Sequence, residues 1–227
     1  MSVLIHEGFH VYQKPKLQRL LFVDPKFYFK PKIMVYSYIE GMLLLNALKT
    51  NSKEEFLETV YKFITVRNEK NKKLNKRQIA TELNGEFGEG TALYAQTKSQ
   101  IILQELKYKP QILSPQICTF DKASDFILVD SLEFISSIKQ YNIDSFWGKC
   151  YYYGQAQAYI LDRLCDSIWQ HEVMEEETML WDLILKYSEY DKYNTSNIDD
   201  IKDGYQFDSL LRKVKKMNKK LGNGILE

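Results

Sequence analysis

The sequence predicts a mainly α-helical fold with little or no sheet, on three observations. Apolar residues recur at helical spacing through most of the chain, as in Phe56, Val60, Phe63 and Ile64. Pro115 is the last proline, so no residue after it breaks a helix by lacking its N–H. Strand signals, with apolar and polar residues alternating, are few.

The elements follow in order. Ser2 is the expected N-cap of a first helix over 3–14, which Pro15 should end. Residues 15–31 carry Pro15, Pro25 and Pro31 with Phe22, Phe27, Tyr28 and Phe29, and read as an ordered loop packed near that helix. A helix over 33–49 places Met34, Tyr38, Gly41, Leu45 and Leu48 on one face. Thr50-Asn51-Ser52 breaks it, and Ser52 with Glu55 forms a capping box for a helix over 53–72. One long helix is expected over 75–106, then a loop over 107–121 around Pro110 and Pro115. Further helices are expected over 123–141, 144–169, 172–189 and 206–221, with breaks at Asn142, Asn194 to Asn197 and Asp203-Gly204. No repeat or low-complexity tract is present.

A chain of 227 residues suits a single domain over 1–227. Its 44% apolar and 27% charged residues are those of an ordinary globular protein, and 14% aromatics argue against disorder. The net charge of +1 gives no global attraction for nucleic acid. Two basic stretches, Arg67 to Arg77 and Arg212 to Lys220, read as solvated faces of amphipathic helices. Aromatics do not alternate with their bases, so a nucleic-acid platform is not supported. Cys118, Cys150 and Cys165 form no CxxC pair and no disulfide framework, and are expected as apolar thiols in a reducing compartment. No apolar run approaches the roughly 20 residues of a membrane span, and no signal peptide is visible, so a cytoplasmic location is expected.

Chemistry is concentrated in His6-Glu7-Gly8-Phe9-His10, an HExxH motif that holds two of the three histidines. On a helix, residues i and i+4 share a face, so both imidazoles can bind one metal ion. Glu7 points to a neighbouring face, where a carboxylate can deprotonate a metal-activated water. A zinc site of this kind needs a third protein ligand. The remaining histidine, His171, lies far along the chain. Glu82, Glu86 and Glu89, by contrast, are spaced i, i+4 and i+7 on one helical stripe. Three such carboxylates repel unless a cation or a basic partner faces them. Gly85, Gly88 and Gly90 interrupt the same helix, each at a cost of about 1 kcal/mol against alanine, which suits a close backbone neighbour.

HEGFHVYQ followed by EGTALYAQ resembles the gluzincin metallopeptidases, which join HExxH on one helix to a glutamate ligand on a later one. The likeness is specific over 3–15 and 82–96. It is looser over Glu40-Gly41 and from Tyr153-Gly154-Gln155-Ala156 to Leu161-Asp162-Arg163-Leu164. The resemblance implies a zincin-like helical domain with Zn2+ held by His6, His10 and Glu89, Glu86 being the fallback ligand. It makes Glu7 the general base of a zinc-dependent peptidase acting on a peptide or protein substrate. It also implies a Tyr or His that binds the developing oxyanion, for which Tyr153 and His171 are the candidates. The gap of 78 residues between His10 and Glu89 is longer than in thermolysin and is similar to that in bacterial proteins in which helices separate the motifs. Such peptidases have sheet ahead of the HExxH helix, whereas only Met1 to Ile5 precede it here. The expectation is therefore either an upstream sheet subdomain missing from this chain or a site built without one. The alternative function is a non-catalytic remnant acting as a binding or structural domain.

Overall fold

The computed structural model describes residues 2–17, 23–107, 143–175 and 178–220. Their elements are α1 (Ser2–Leu17), a 3₁₀ turn (Pro25–Phe29), α2 (Pro31–Lys49), α3 (Lys53–Asn71), α4 (Lys76–Gly85), a π-helical turn (Glu86–Gly90) and α5 (Thr91–Glu105). After them come α6 (Ile143–Cys165), α7 (Ile168–Glu175), α8 (Leu180–Ser188), α9 (Tyr190–Tyr193), α10 (Ile198–Gly204) and α11 (Phe207–Lys220). Among the described residues there is no strand, so the mainly helical expectation holds. None of these helices is long and apolar enough to cross a membrane. The expected loop over 107–121 and helix over 123–141 fall almost entirely outside the described residues, as does Cys118.

α2 is the central helix. Pro31 opens it with a φ already suited to a first helical turn. Its residues are buried nearly all round, from Ile33 to Ala47, and it packs against α3, α6 and α11. α3 begins on the Ser52 cap, whose hydroxyl accepts from the Glu55 N–H at 3.3 Å. The Glu55 carboxylate accepts from the Thr50 hydroxyl at 2.6 Å, so only half of the expected box is closed there. The full box falls at the head of α4, where Asn75 and Gln78 cap each other reciprocally.

Several boundaries differ from the sequence expectation. α1 runs through Pro15 to Leu17. Pro15 removes only the hydrogen bond to the carbonyl of Val11, a residue 72% exposed, where water can take its place. The helix expected over 75–106 is three segments, because a π-helical turn joins α4 to α5. The helix expected over 144–169 ends at Cys165, and Asp166, at φ 52°, turns the chain into α7. Glu189, at φ 51°, ends α8 in the same way. Asn197, expected only as a break, caps α10 by accepting from the Asp199 N–H at 2.8 Å. The basic stretch of α11 is solvated as expected, with Val214 on its inner face. The stretch from Arg67 to Arg77 is solvated only in part: Lys72, Lys73, Lys76 and Arg77 are exposed, but Arg67 and Lys70 have no exposed surface.

Those two cations answer Glu82 of α4, Glu86 of the π turn and Glu40 of α2. Arg67 donates to Glu86 at 2.6 and 2.7 Å and to Glu40 at 3.3 and 3.4 Å. Lys70 donates to Glu40 at 2.7 Å and to Glu82 at 2.8 Å. Lys149 of α6 completes the group, paired with Glu82 and lying 3.6 Å from Glu86 and 3.8 Å from Glu40. Three carboxylates and three cations, all buried, thus sum to zero formal charge. Burial alone would raise the Glu40 pKa, but Arg67, Lys70 and Lys149 outweigh it and hold this carboxyl at about 2. Burial, with Lys70 as a like charge, pushes the Lys149 ammonium well below its usual value.

Candidate metal centre

Three elements meet at the HExxH motif. α1 packs along α5 and touches the π turn, and α6 lies across that turn from the other side. The close approach depends on glycine. A Cβ on Gly90 would stand 2.3 Å from the Gly154 Cα, and one on Gly154 would stand 2.0 Å from the Glu86 carbonyl oxygen. A Cβ on Gly85 would meet the Cys150 Sγ at 2.5 Å. The glycines at 85 and 90 therefore do admit a neighbouring backbone and side chain, as their spacing suggested.

The π turn also separates the glutamates that an unbroken helix would align. Its i→i+5 hydrogen bonding widens the turn, so the residues after Glu86 rotate less per step than in an α-helix. Glu82 and Glu86 face α3 and its cations, and Glu89 faces α1. Glu86 is thus excluded as a fallback ligand: its carboxylate is taken by Arg67 and by Gln157, which donates to it at 2.8 Å.

Glu89 meets both histidines. Its Oε2 lies 3.5 Å from His6 Nε2 and 3.5 Å from His10 Nε2, and the two ring nitrogens are 3.1 Å apart. Tetrahedral zinc with bonds of about 2.0–2.2 Å places its ligand atoms about 3.3–3.6 Å apart; both sides to Glu89 fall in that range, and the nitrogen–nitrogen side is slightly shorter. Glu89 Oε2 is buried with no hydrogen-bond partner among the described residues, as a carboxylate oxygen kept for a cation would be. Among the described residues, these three are the one group of His, Cys, Asp or Glu side chains close enough to share a metal ion. Burial and then the nearby His10 lower the His6 pKa, against Glu89 and Glu7, which favours the neutral ring that a ligand must be.

Around this triangle the side chains divide by exposure. Glu7 is exposed and near enough for its charge to act on His6 and Tyr151. Tyr151 of α6 stacks on the His6 ring at 5.5 Å between centroids. Burial, a hydrogen bond to Glu89 and the charges of Glu89 and Glu7 all raise its phenol pKa. Gln13, one turn beyond His10, has no exposed surface and accepts from His10 Nδ1 at 2.8 Å. Neither expected oxyanion partner stands here. Tyr153 is buried and donates to the Ser37 carbonyl at 2.6 Å, and His171 is exposed on α7 beside Glu172. Sequence reasoning missed Tyr151 because sixteen tyrosines offer no way to rank them. Gln13 carried a usable signal, since it shares a helical face with His6 and His10. The Cys150 thiol is buried and free, and burial pushes its pKa up.

No family model, no curated protein and no solved structure matches the chain.

Proposed function

We propose that the chain is a zinc-dependent peptidase of gluzincin type, with His6, His10 and Glu89 holding the ion and Glu7 acting as general base. The observation that carries this reading is the convergence of His6 Nε2, His10 Nε2 and the orphaned Glu89 Oε2 on one spot. Zinc, when bound, supplies a Lewis acid that polarises a peptide carbonyl and acidifies water. Glu7, exposed and within electrostatic reach of His6 and Tyr151, would accept a proton from the attacking water and return it to the leaving amine. Tyr151, and not Tyr153 or His171, offers a hydroxyl to the developing oxyanion. The substrate is a peptide or protein.

Zinc content and hydrolysis of a mixed peptide library, measured on wild type and single variants, test the reading. Wild type should hold about one zinc per chain, and His6→Ala or His10→Ala should lose it. Glu7→Gln and Tyr151→Phe should keep zinc, the first without hydrolysis and the second with hydrolysis about 10²-fold slower. Equal zinc loss in Glu7→Gln would remove Glu7 from its role. Zinc bound with no peptide cleaved would assign the centre to a non-catalytic, metal-holding domain.

A further inference from the structure

We infer that Gln13 is a positioning residue that fixes the ring tautomer of His10 and clamps the π turn carrying Glu89. This rests on the zinc reading above for its consequence, and on hydrogen bonds alone for its geometry. The Gln13 amide is fully buried and lies between α1 and the π turn. Its Nε2 lies 2.6 Å from Thr91 Oγ1, 3.2 Å from the Gly88 carbonyl and 3.4 Å from the Phe87 carbonyl. The Thr91 hydroxyl already donates to the Phe87 carbonyl at 2.6 Å. Its oxygen can therefore only accept from Gln13. All three partners on that side are acceptors, so the NH2 end of the amide must face them.

That orientation leaves Gln13 Oε1 towards His10 Nδ1, at 2.8 Å. An oxygen there requires a proton on Nδ1. Neutral His10 is then bare at Nε2, the nitrogen aimed at His6 and Glu89. One side chain thus sets the donor atom of one ligand and secures the carbonyls of the turn that presents another. Flipping the amide would bring its oxygen against two carbonyl oxygens, so the tautomer and the turn are held together. Partners of this kind typically change metal affinity 10–100-fold when removed.

The experiment uses the full chain in metal-free form and with zinc alone as the probe. Long-range nitrogen–proton NMR of the histidine rings reads the tautomer directly. In the metal-free wild type, His10 should be protonated at Nδ1, and a dominant Nε2-protonated ring would overturn the inference without any variant. Gln13→Leu removes both arms, and should mix the tautomers and weaken zinc binding by about 10–100-fold. Gln13→Glu keeps the acceptor and loses the donors. It should retain the Nδ1 proton and recover part of the affinity. Equal affinity in wild type and both variants would refute the positioning role, as would equal loss in the two variants with the tautomer unchanged in both. If the wild type binds no zinc, the peptidase reading falls and the tautomer measurement still decides the geometry.

Discussion

Arg67→Met is the perturbation that the ionic core makes most informative. Arg67 has no exposed surface, sits over Phe63 and Trp181 at 5.0 and 5.4 Å, and makes four hydrogen bonds to Glu40 and Glu86. Methionine retains much of the volume and contact with the two rings, so the charge is the main loss. Glu40 and Glu86 would remain buried, with Lys70 and Lys149 as the nearest cations and an excess of one negative charge. Removing one partner from a buried ion pair costs about 3–5 kcal/mol. For a chain of this size each kcal/mol moves the melting temperature by about 2–4 °C, so a fall of about 6–20 °C is expected. The double variant Arg67→Met with Glu86→Gln removes one charge of each sign. Thermal or urea unfolding of wild type, both single variants and the double variant closes a cycle. The double variant should lose about 1–3 kcal/mol less than the sum of the singles. Additive losses, or a single-variant loss below about 1 kcal/mol as for a surface pair, would refute the reasoning.

Acid should act through Glu40. Its carboxyl is lowered from 4.5 to about 2, so its contribution is fully present above about pH 4.5 and is lost as pH falls through about 2. Urea unfolding at steps down that range should show a shallower decline for Glu40→Gln than for wild type, and parallel curves would contradict it. Two glycines should respond in opposite directions. Gly90→Ala drives a Cβ to within 2.3 Å of backbone, and should lower stability by about 1–3 kcal/mol or more together with zinc content. Gly8→Ala meets nothing within 4 Å on a helix, and should raise stability by about 1 kcal/mol with zinc content unchanged. Melting curves and metal analysis of the purified variants check both.

What could be read from the sequence was what lies within one or two helical turns. The His6–His10 pair, the Ser52 cap of α3 and the α2 span all depend on spacing and local chemistry. Glu89 was named from a motif that is local too, and it stands 3.5 Å from both histidines. What escaped depends on which helices meet. Arg67 to Arg77 looked like a solvated run, yet Arg67 follows Phe63 by four residues and Val60 by seven, on the apolar stripe of α3. A cation on such a stripe was the available sign of burial, and Glu40 within α2 was another. The π turn could not be anticipated, because it arises where Gly90 meets Gly154 from a helix more than sixty residues away. Without it, Glu82, Glu86 and Glu89 had to be placed on a single stripe.

The balanced charge core also constrains the order in which the molecule can assemble. α2 and α3 together bring one carboxylate and two cations, an excess of one positive charge. Adding α4 and the π turn brings Glu82 and Glu86 and reverses the sign. Only when α6 delivers Lys149 do the formal charges cancel. Each of the two partial assemblies in that order would thus have to bury a lone charge, at a cost of several kcal/mol. The charge balance thus favours α6 closing together with the other four segments over its arriving last.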